Sequence, residues 1–313
     1  MPSSPGLGLA LGLALTLSTS LLTACGDDGG TSTPDAATNV GFNKPEMPLH
    51  ANDEGAPGSW TDLGLADLSC LGTPSADVAS AQAITLNTVV KDFQSDTVVA
   101  GAMVTAFTGI TEGSPFATAV TSDAEGKVTL TIPPGQKRVG FKLVGGAHGN
   151  TTQLTTYLLN QYLTPDMPIQ TSPELLSVSN ETALLLPALI GANRVPGSGV
   201  LAGSLRDCQG HEISNFIATV SSTQASASIL DGAASYYFAA TSSPLPQKQL
   251  KASSSNGLYM VIQLPATPTA YVQMWGYKTE ADLASDTLSL ISELQVPVVA
   301  DSVVTGSYSP DRI

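Results

Sequence analysis

"TSDAEGKVTLTIPPG", residues 121–135, decides the fold. A polar turn runs into Gly126. Val128, Leu130 and Ile132 then alternate with Lys127, Thr129 and Thr131, and Pro133 and Pro134 close the stretch. Alternation with a period of two places the apolar side chains on one face, the pattern of a half-buried strand. Glycine supplies the positive φ that a tight turn needs, and proline ends a strand where no ladder donor is required. The same figure returns in "SSSNGLYMVIQLPA" (253–266), with Gly257 at the turn and Pro265 at the stop.

Working outward, the flanking stretches repeat as well. "ITLNTVVKDFQ" (84–94) and "GVLAGSLRDCQ" (199–209) alternate in the same way. Both reach a basic residue followed by Asp, Lys91-Asp92 and Arg206-Asp207. "KRVGFKLVGG" (137–146) and "TAYVQMWGY" (269–277) supply the strand after each proline. An internal repeat of short alternating strands predicts two small antiparallel β-sandwiches, each burying one face of its sheets.

Each copy resembles the carboxypeptidase regulatory-like domain, a transthyretin-like sandwich. "AGAMVTAF" (100–107) followed by 121–135 carries the resemblance in the first copy. In the second, "SNFIATVSS" (214–222) lacks the Gly-Ala step and the insert before the turn is longer. The resemblance implies accessory domains of the kind that accompany metallocarboxypeptidases and outer-membrane receptors. It therefore implies a binding or structural part with a protein partner.

The fold expected is mainly β: two antiparallel Ig/transthyretin-like β-sandwiches, at 60–177 and 198–313, with a short helical connector at 178–197. In the connector, Ser179 or Asn180 caps a helix, Glu181 lies in its first turn, and Gly191 and Pro196 end it. A second short helix is expected within 278–294, where Leu283, Leu288, Ile291 and Leu294 keep rough helical spacing.

Ahead of the repeats, "GLGLALGLALTLSTSLLTA" (6–24) is apolar and uncharged and reads as a secretory signal peptide, residues 1–24. "LTAC" (22–25) resembles the lipobox of bacterial lipoproteins. The resemblance implies that the Cys25 thiol carries diacylglycerol and that the chain is held on a membrane by that lipid. Residues 25–59, rich in Gly, Pro, Asp and Thr without periodicity, read as a disordered tether. The place expected is the bacterial cell envelope, the outer membrane before the inner.

The chain of 313 residues is long enough for two domains, and 42% hydrophobic content is enough to fill their cores. Its net charge of −14 repels a phosphate backbone and argues against nucleic acid as a partner. Three cysteines leave Cys70 and Cys208 once Cys25 is set aside, and an even remainder outside the cytoplasm reads as a disulfide.

The chemistry is sparse. His50, His148 and His211 have no second histidine at ligand spacing, and no C-x-x-C occurs, so no metal site is expected. Neither a G-x-S-x-G elbow nor a glycine-rich phosphate loop is present, so neither a catalytic residue nor a cofactor is expected. Asp92 and Asp207 read as turn carboxylates bonding the amides that follow them; a hydrolase built on them is the less favoured reading. Trp60, Trp275, Tyr236, Tyr237, Phe238, Tyr259, Tyr271 and Tyr277 raise carbohydrate binding as an alternative. In "SYYFA" (235–239), Tyr236 and Phe238 share one face and Tyr237 takes the other. The function expected is a non-catalytic cell-envelope lipoprotein whose sandwiches serve as a structural or interaction module, with a protein or glycan partner.

Overall fold

Alternating runs become strands because each buries one row of side chains while its backbone pairs with a neighbour. The computed structural model describes residues 43–110, 112–171 and 174–310; the expected signal segment, Cys25 and the expected tether up to residue 42 lie outside them. The first half runs β1 (His50–Ala56), β2 (Ser59–Leu65), β3 (Ile84–Asp92), β4 (Met103–Thr108), β5 (Val120–Thr121), β6 (Lys127–Ile132), β7 (Arg138–Val144), β8 (Ala147–His148), β9 (Thr151–Thr152), β10 (Thr155–Tyr162), β11 (Ile169–Thr171) and β12 (Leu175–Ser177). Helix α1 (Asn180–Leu189) follows. Then come β13 (Ser198–Leu205), β14 (Glu212–Ser214), β15 (Ile217–Ser221), β16 (Ala234–Phe238), β17 (Pro246–Gln247), β18 (Leu258–Pro265), β19 (Thr267–Gly276), α2 (Glu280–Ala284), β20 (Ser289–Val298) and β21 (Ser302–Tyr308). The fold is mainly β.

The two copies share a pairing plan. In the first, β3 pairs with β6 while β4, β7 and β10 form a meander; in the second, β13 pairs with β18 while β15, β19 and β20 do the same. Gly126 and Gly257 both have positive φ, 73° and 61°, as the turn figure requires.

The copies are not separate sandwiches. β21 lies between β13 and β10 and pairs in parallel with both, which makes one nine-stranded sheet, β17-β16-β18-β13-β21-β10-β7-β4-β5. β11 and β12 also pair in parallel with β3, so the architecture is mixed rather than wholly antiparallel. Side-chain alternation states which face a residue takes. It does not state which edge a strand will join, and parallel neighbours need long connections that leave no local signature.

Both faces of the long sheet are covered. Along β10, Tyr157 and Leu159 enter the larger core with Leu201, Tyr259, Val304 and the β15-β19-β20 layer. Leu158 points the other way, into a second core with Phe141, Val104, Leu86 and Leu130 beneath the β3–β6 layer. Farther along that second face, Ile190 and Leu186 of the α1 region pack on Phe238, Met260 and Ile262.

Part of the expected tether is a strand. β1 pairs with β14, His50 opposite Ser214, and with β2. Leu49 is fully buried in the larger core, and Gly276 has no side chain because a Cβ there would strike Leu49. Residues 43–59 therefore belong to the folded body: ladder pairing and one buried leucine outweigh a composition that reads as linker. The hairpin and the segment after it attach to the second copy, so the boundary at 60 falls inside a built unit.

The connector helix is as expected at its ends. The Ser179 hydroxyl accepts from the Thr182 amide at 3.1 Å, Glu181 sits in the first turn, and Gly191 follows with φ 73°. The second helix is shorter than its spacing implied. It stops at Ala284, Asp286 takes a left-handed φ of 52°, and Ile291 and Leu294 belong to β20. Ladder pairing with β19 overrides the helical spacing of those leucines. Among the described residues no helix is long and apolar enough to cross a membrane.

Candidate functional site

The repeated Asp corners come first. Asp92 ends β3 and is buried; its Oδ1 accepts from the Gln94 amide at 3.1 Å, the Ser95 amide at 2.9 Å and the Ser95 hydroxyl at 3.0 Å. Burial pushes this carboxyl's pKa up, but the Ser95 and Gln94 bonds outweigh it and hold it below the usual carboxylate value. Asp207, also buried, accepts from the Gln209 and His211 amides at 2.9 Å each through Oδ1, and from the Asp67 amide at 3.2 Å through Oδ2. Both are turn carboxylates, as the sequence implied.

Each histidine stands beside a carboxylate. His148 Nε2 lies 3.7 Å from Asp92, His211 Nδ1 3.6 Å from Asp207, and His50 Nδ1 2.8 Å from Asp62. No group of three or more His, Cys, Asp or Glu side chains among the described residues is placed to hold a metal ion.

Cys70 and Cys208 are bonded, with Cα atoms 5.8 Å apart. The bond and the Asp67–Asp207 contact tie the segment after β2 to the corner of the second copy. Beside the disulfide this segment borders a cleft of about 560 Å³. Arg138, the first residue of β7, forms an ion pair with Asp77 and donates from Nη1 to the Asn160 carbonyl at 3.2 Å. Its guanidinium carbon sits 5.9 Å from the centroid of the Tyr162 ring, and Tyr162 is 48% exposed.

Asn160 sits at a bulge in β10, where the register with β7 shifts between Leu158 and Gln161, and has a left-handed φ of 62°. Its side chain is fully buried, yet neither the carboxamide oxygen nor the nitrogen has a protein partner. Asn160 and Arg138 border both this cleft and a second cavity of about 820 Å³. Sequence reasoning missed Asn160 and Tyr162. The one available signal was an Asn inside the apolar run "TTYLLNQYL" (155–163), since Asn is among the few residues that tolerate a left-handed bulge.

A third concavity lies between α1 and the β3–β12 layer. Phe93, Val178, Phe238, Met260 and Val303 line it, and it is almost wholly hydrocarbon. The outer side of α1 carries Leu184, Leu185 and Leu189, all exposed.

The aromatics that raised carbohydrate binding are mostly structural. Tyr237 enters the larger core and its hydroxyl accepts from the Ala218 amide at 3.0 Å, while Tyr236 and Phe238 take the opposite face. Trp275 donates to the Thr219 hydroxyl at 3.1 Å and Tyr277 to Asp286 at 2.6 Å. Tyr259 is buried edge-on against Phe216 and Tyr308. Trp60, Tyr236 and Tyr271 are half-buried.

No family model matches the chain, and no curated protein matches it. Among solved structures it is similar to the shaft pilin SpaA from Lactobacillus rhamnosus GG. One structure of that pilin is 9% identical, with 75% of this chain and 99% of the pilin covered, at a TM-score of 0.22. Two mutant forms of it are 10% identical over the same shares at a TM-score of 0.21. A superposition at that level assigns neither fold nor function, and the β assignment rests on the strands themselves.

Proposed function

We propose that this chain is a non-catalytic cell-envelope lipoprotein, held on a membrane by lipid on Cys25, whose β body serves as a structural or interaction module. One observation carries the reading: the Cys70–Cys208 bond. Disulfides persist in oxidising compartments, the compartments a lipoprotein signal leads to. The bond also fixes the segment after β2 against the second copy, which suits a rigid module. The lipobox-like "LTAC" agrees with the same address. The buried carboxylates that invited a hydrolase reading each bond the amides of their own turn through Oδ1.

Metabolic labelling with an alkyne-bearing fatty acid tests the reading. The wild-type chain takes up label and sediments with membranes, whereas Cys25→Ala does neither. An unlabelled wild-type chain, or a mature amino terminus that runs intact through position 25, overturns it.

A further inference from the structure

We infer that the Cys70–Cys208 bond is an exchangeable latch: a small thiol opens it by attack at the Cys70 sulfur, with Cys208 as the leaving group, and so releases a strap that walls two cavities. The inference goes beyond the envelope-module reading, in which the bond only stiffens the body.

The strap is the segment 66–83 between β2 and β3, which holds neither helix nor strand. It runs from the second copy to the first. On the second copy the Asp67 carbonyl accepts from the Cys208 amide at 2.9 Å, Cys70 is bonded to Cys208, and the Gly72 amide donates to the Pro310 carbonyl at 3.0 Å. On the first copy Asp77 pairs with Arg138, while the Ser80 amide donates to the Gln136 carbonyl at 3.1 Å and its carbonyl accepts from the Gly135 amide at 2.8 Å. Between these moorings, no residue from Ser69 to Ala79 is buried. A stretch that buries so little apolar surface opens locally at small cost, well below the cost of unfolding the body.

What the strap covers gives its release a consequence. Thr73 and Pro74 border the cleft of about 560 Å³, and Pro74 also borders the cavity of about 820 Å³. Lifting the strap removes a wall that the two share, beside Arg138.

The chemistry of opening follows from the surroundings of the sulfurs. Cys70 and Cys208 are half-buried and border the cleft, outside both large cores. The Cys70 amide donates to Cys208 Sγ at 3.0 Å. A hydrogen bond to sulfur favours its thiolate, which makes Cys208 the better leaving group. The entering thiolate forms a bond to Cys70 Sγ, the Cys70–Cys208 bond breaks, and Cys208 departs with the electron pair and takes up a proton. A second thiol then displaces the first from Cys70. Two thiols are thereby oxidised to a disulfide, and the cysteine pair is reduced to two thiols.

The test treats the folded full chain with 2-mercaptoethanol, blocks free thiols with N-ethylmaleimide and locates both adducts by mass spectrometry. Amide hydrogen exchange is then compared between the oxidised and reduced chains. At early times the mercaptoethanol is expected on Cys70 and the maleimide on Cys208. In the reduced chain the Gly72 amide is expected to exchange about tenfold faster, the scale of one lost hydrogen bond. Over the same labelling times the Ser80 amide and the β13–β21 ladder amides stay closed. Cys70→Ser with Cys208→Ser reproduces the reduced pattern. The inference is overturned if the bond reacts only in denaturant, if the mercaptoethanol lies on Cys208, or if the Gly72 amide opens only together with the ladder amides, as it would for a purely structural staple. None of these outcomes depends on Cys25, so failure here leaves the lipoprotein reading standing, and the reverse holds.

Discussion

At the scale of single residues, Asp207 joins two parts of the chain that are remote in sequence. Its carboxylate closes its own turn through the Gln209 and His211 amides and reaches across to the Asp67 amide. Asp207→Ala strands three donors at a buried position and is expected to cost about 2–4 kcal/mol, read from urea unfolding. Asp207→Asn keeps an acceptor oxygen and costs less. Asp92 adds an acid sensitivity. Its native pKa lies below the unfolded value, so its contribution is complete above about pH 4 and is lost as pH falls through the native value. Both corners were legible because Asp before a polar turn has a local mechanism. Asn160 was not, because a bulge depends on the register that β7 imposes, and register is a property of two strands.

At the scale of elements, α1 has two apolar sides with different neighbours. Ile190, just past its end, is buried on Met260 and Ile262, so Ile190→Ala is expected to cost about 2–4 kcal/mol. Leu185 is exposed, and Leu185→Gln is expected to change stability by less than about 0.5 kcal/mol. Equal losses in both variants, measured by denaturant unfolding, would show that the outer side is covered. The caps of α1 were readable from Ser179, Glu181 and Gly191. The extent of α2 was not, because Leu288, Ile291 and Leu294 satisfy helical spacing and strand burial alike, and only the ladder with β19 decides between them. The β1 hairpin was hidden for a related reason. Its composition suits a linker, and the burial of Leu49 becomes visible only once Gly276 is beside it.

At the scale of the whole molecule, the disulfide and the buried phenols set the limits of stability. Cys70 and Cys208 are 138 residues apart, so the closed loop is worth up to about 5 kcal/mol on the chain-entropy account. Reduction, or Cys70→Ser with Cys208→Ser, is expected to lower the denaturant midpoint accordingly and leave the far-ultraviolet spectrum strand-rich. Alkali acts through the larger core. Burial pushes Tyr308 up to about 12 and raises Tyr259 and Tyr237 well above the usual phenol value, while burial and Asp286 push Tyr277 up to about 12. The unfolded chain releases these protons from about pH 10 and the native chain does not. Stability is thus complete below about pH 10 and falls above it, by about 1.4 kcal/mol per pH unit for Tyr308 alone. Phenolate absorbance and loss of fold are expected to rise together. The repeat was readable across the whole chain because each copy carries its own turn figure; the union of the copies was not, because it rests on β21.

That union has a consequence for biogenesis. β21 follows β10 and β13 in the chain and fills a slot between them, so both leave the ribosome well before it. Until it arrives, two inner edges stand bare, open to pairing with any passing strand. The nascent chain therefore carries two unpaired edges until residue 308 is made, and a late stop codon that deletes residues 302–313 is expected to yield aggregates in place of a slightly shorter protein.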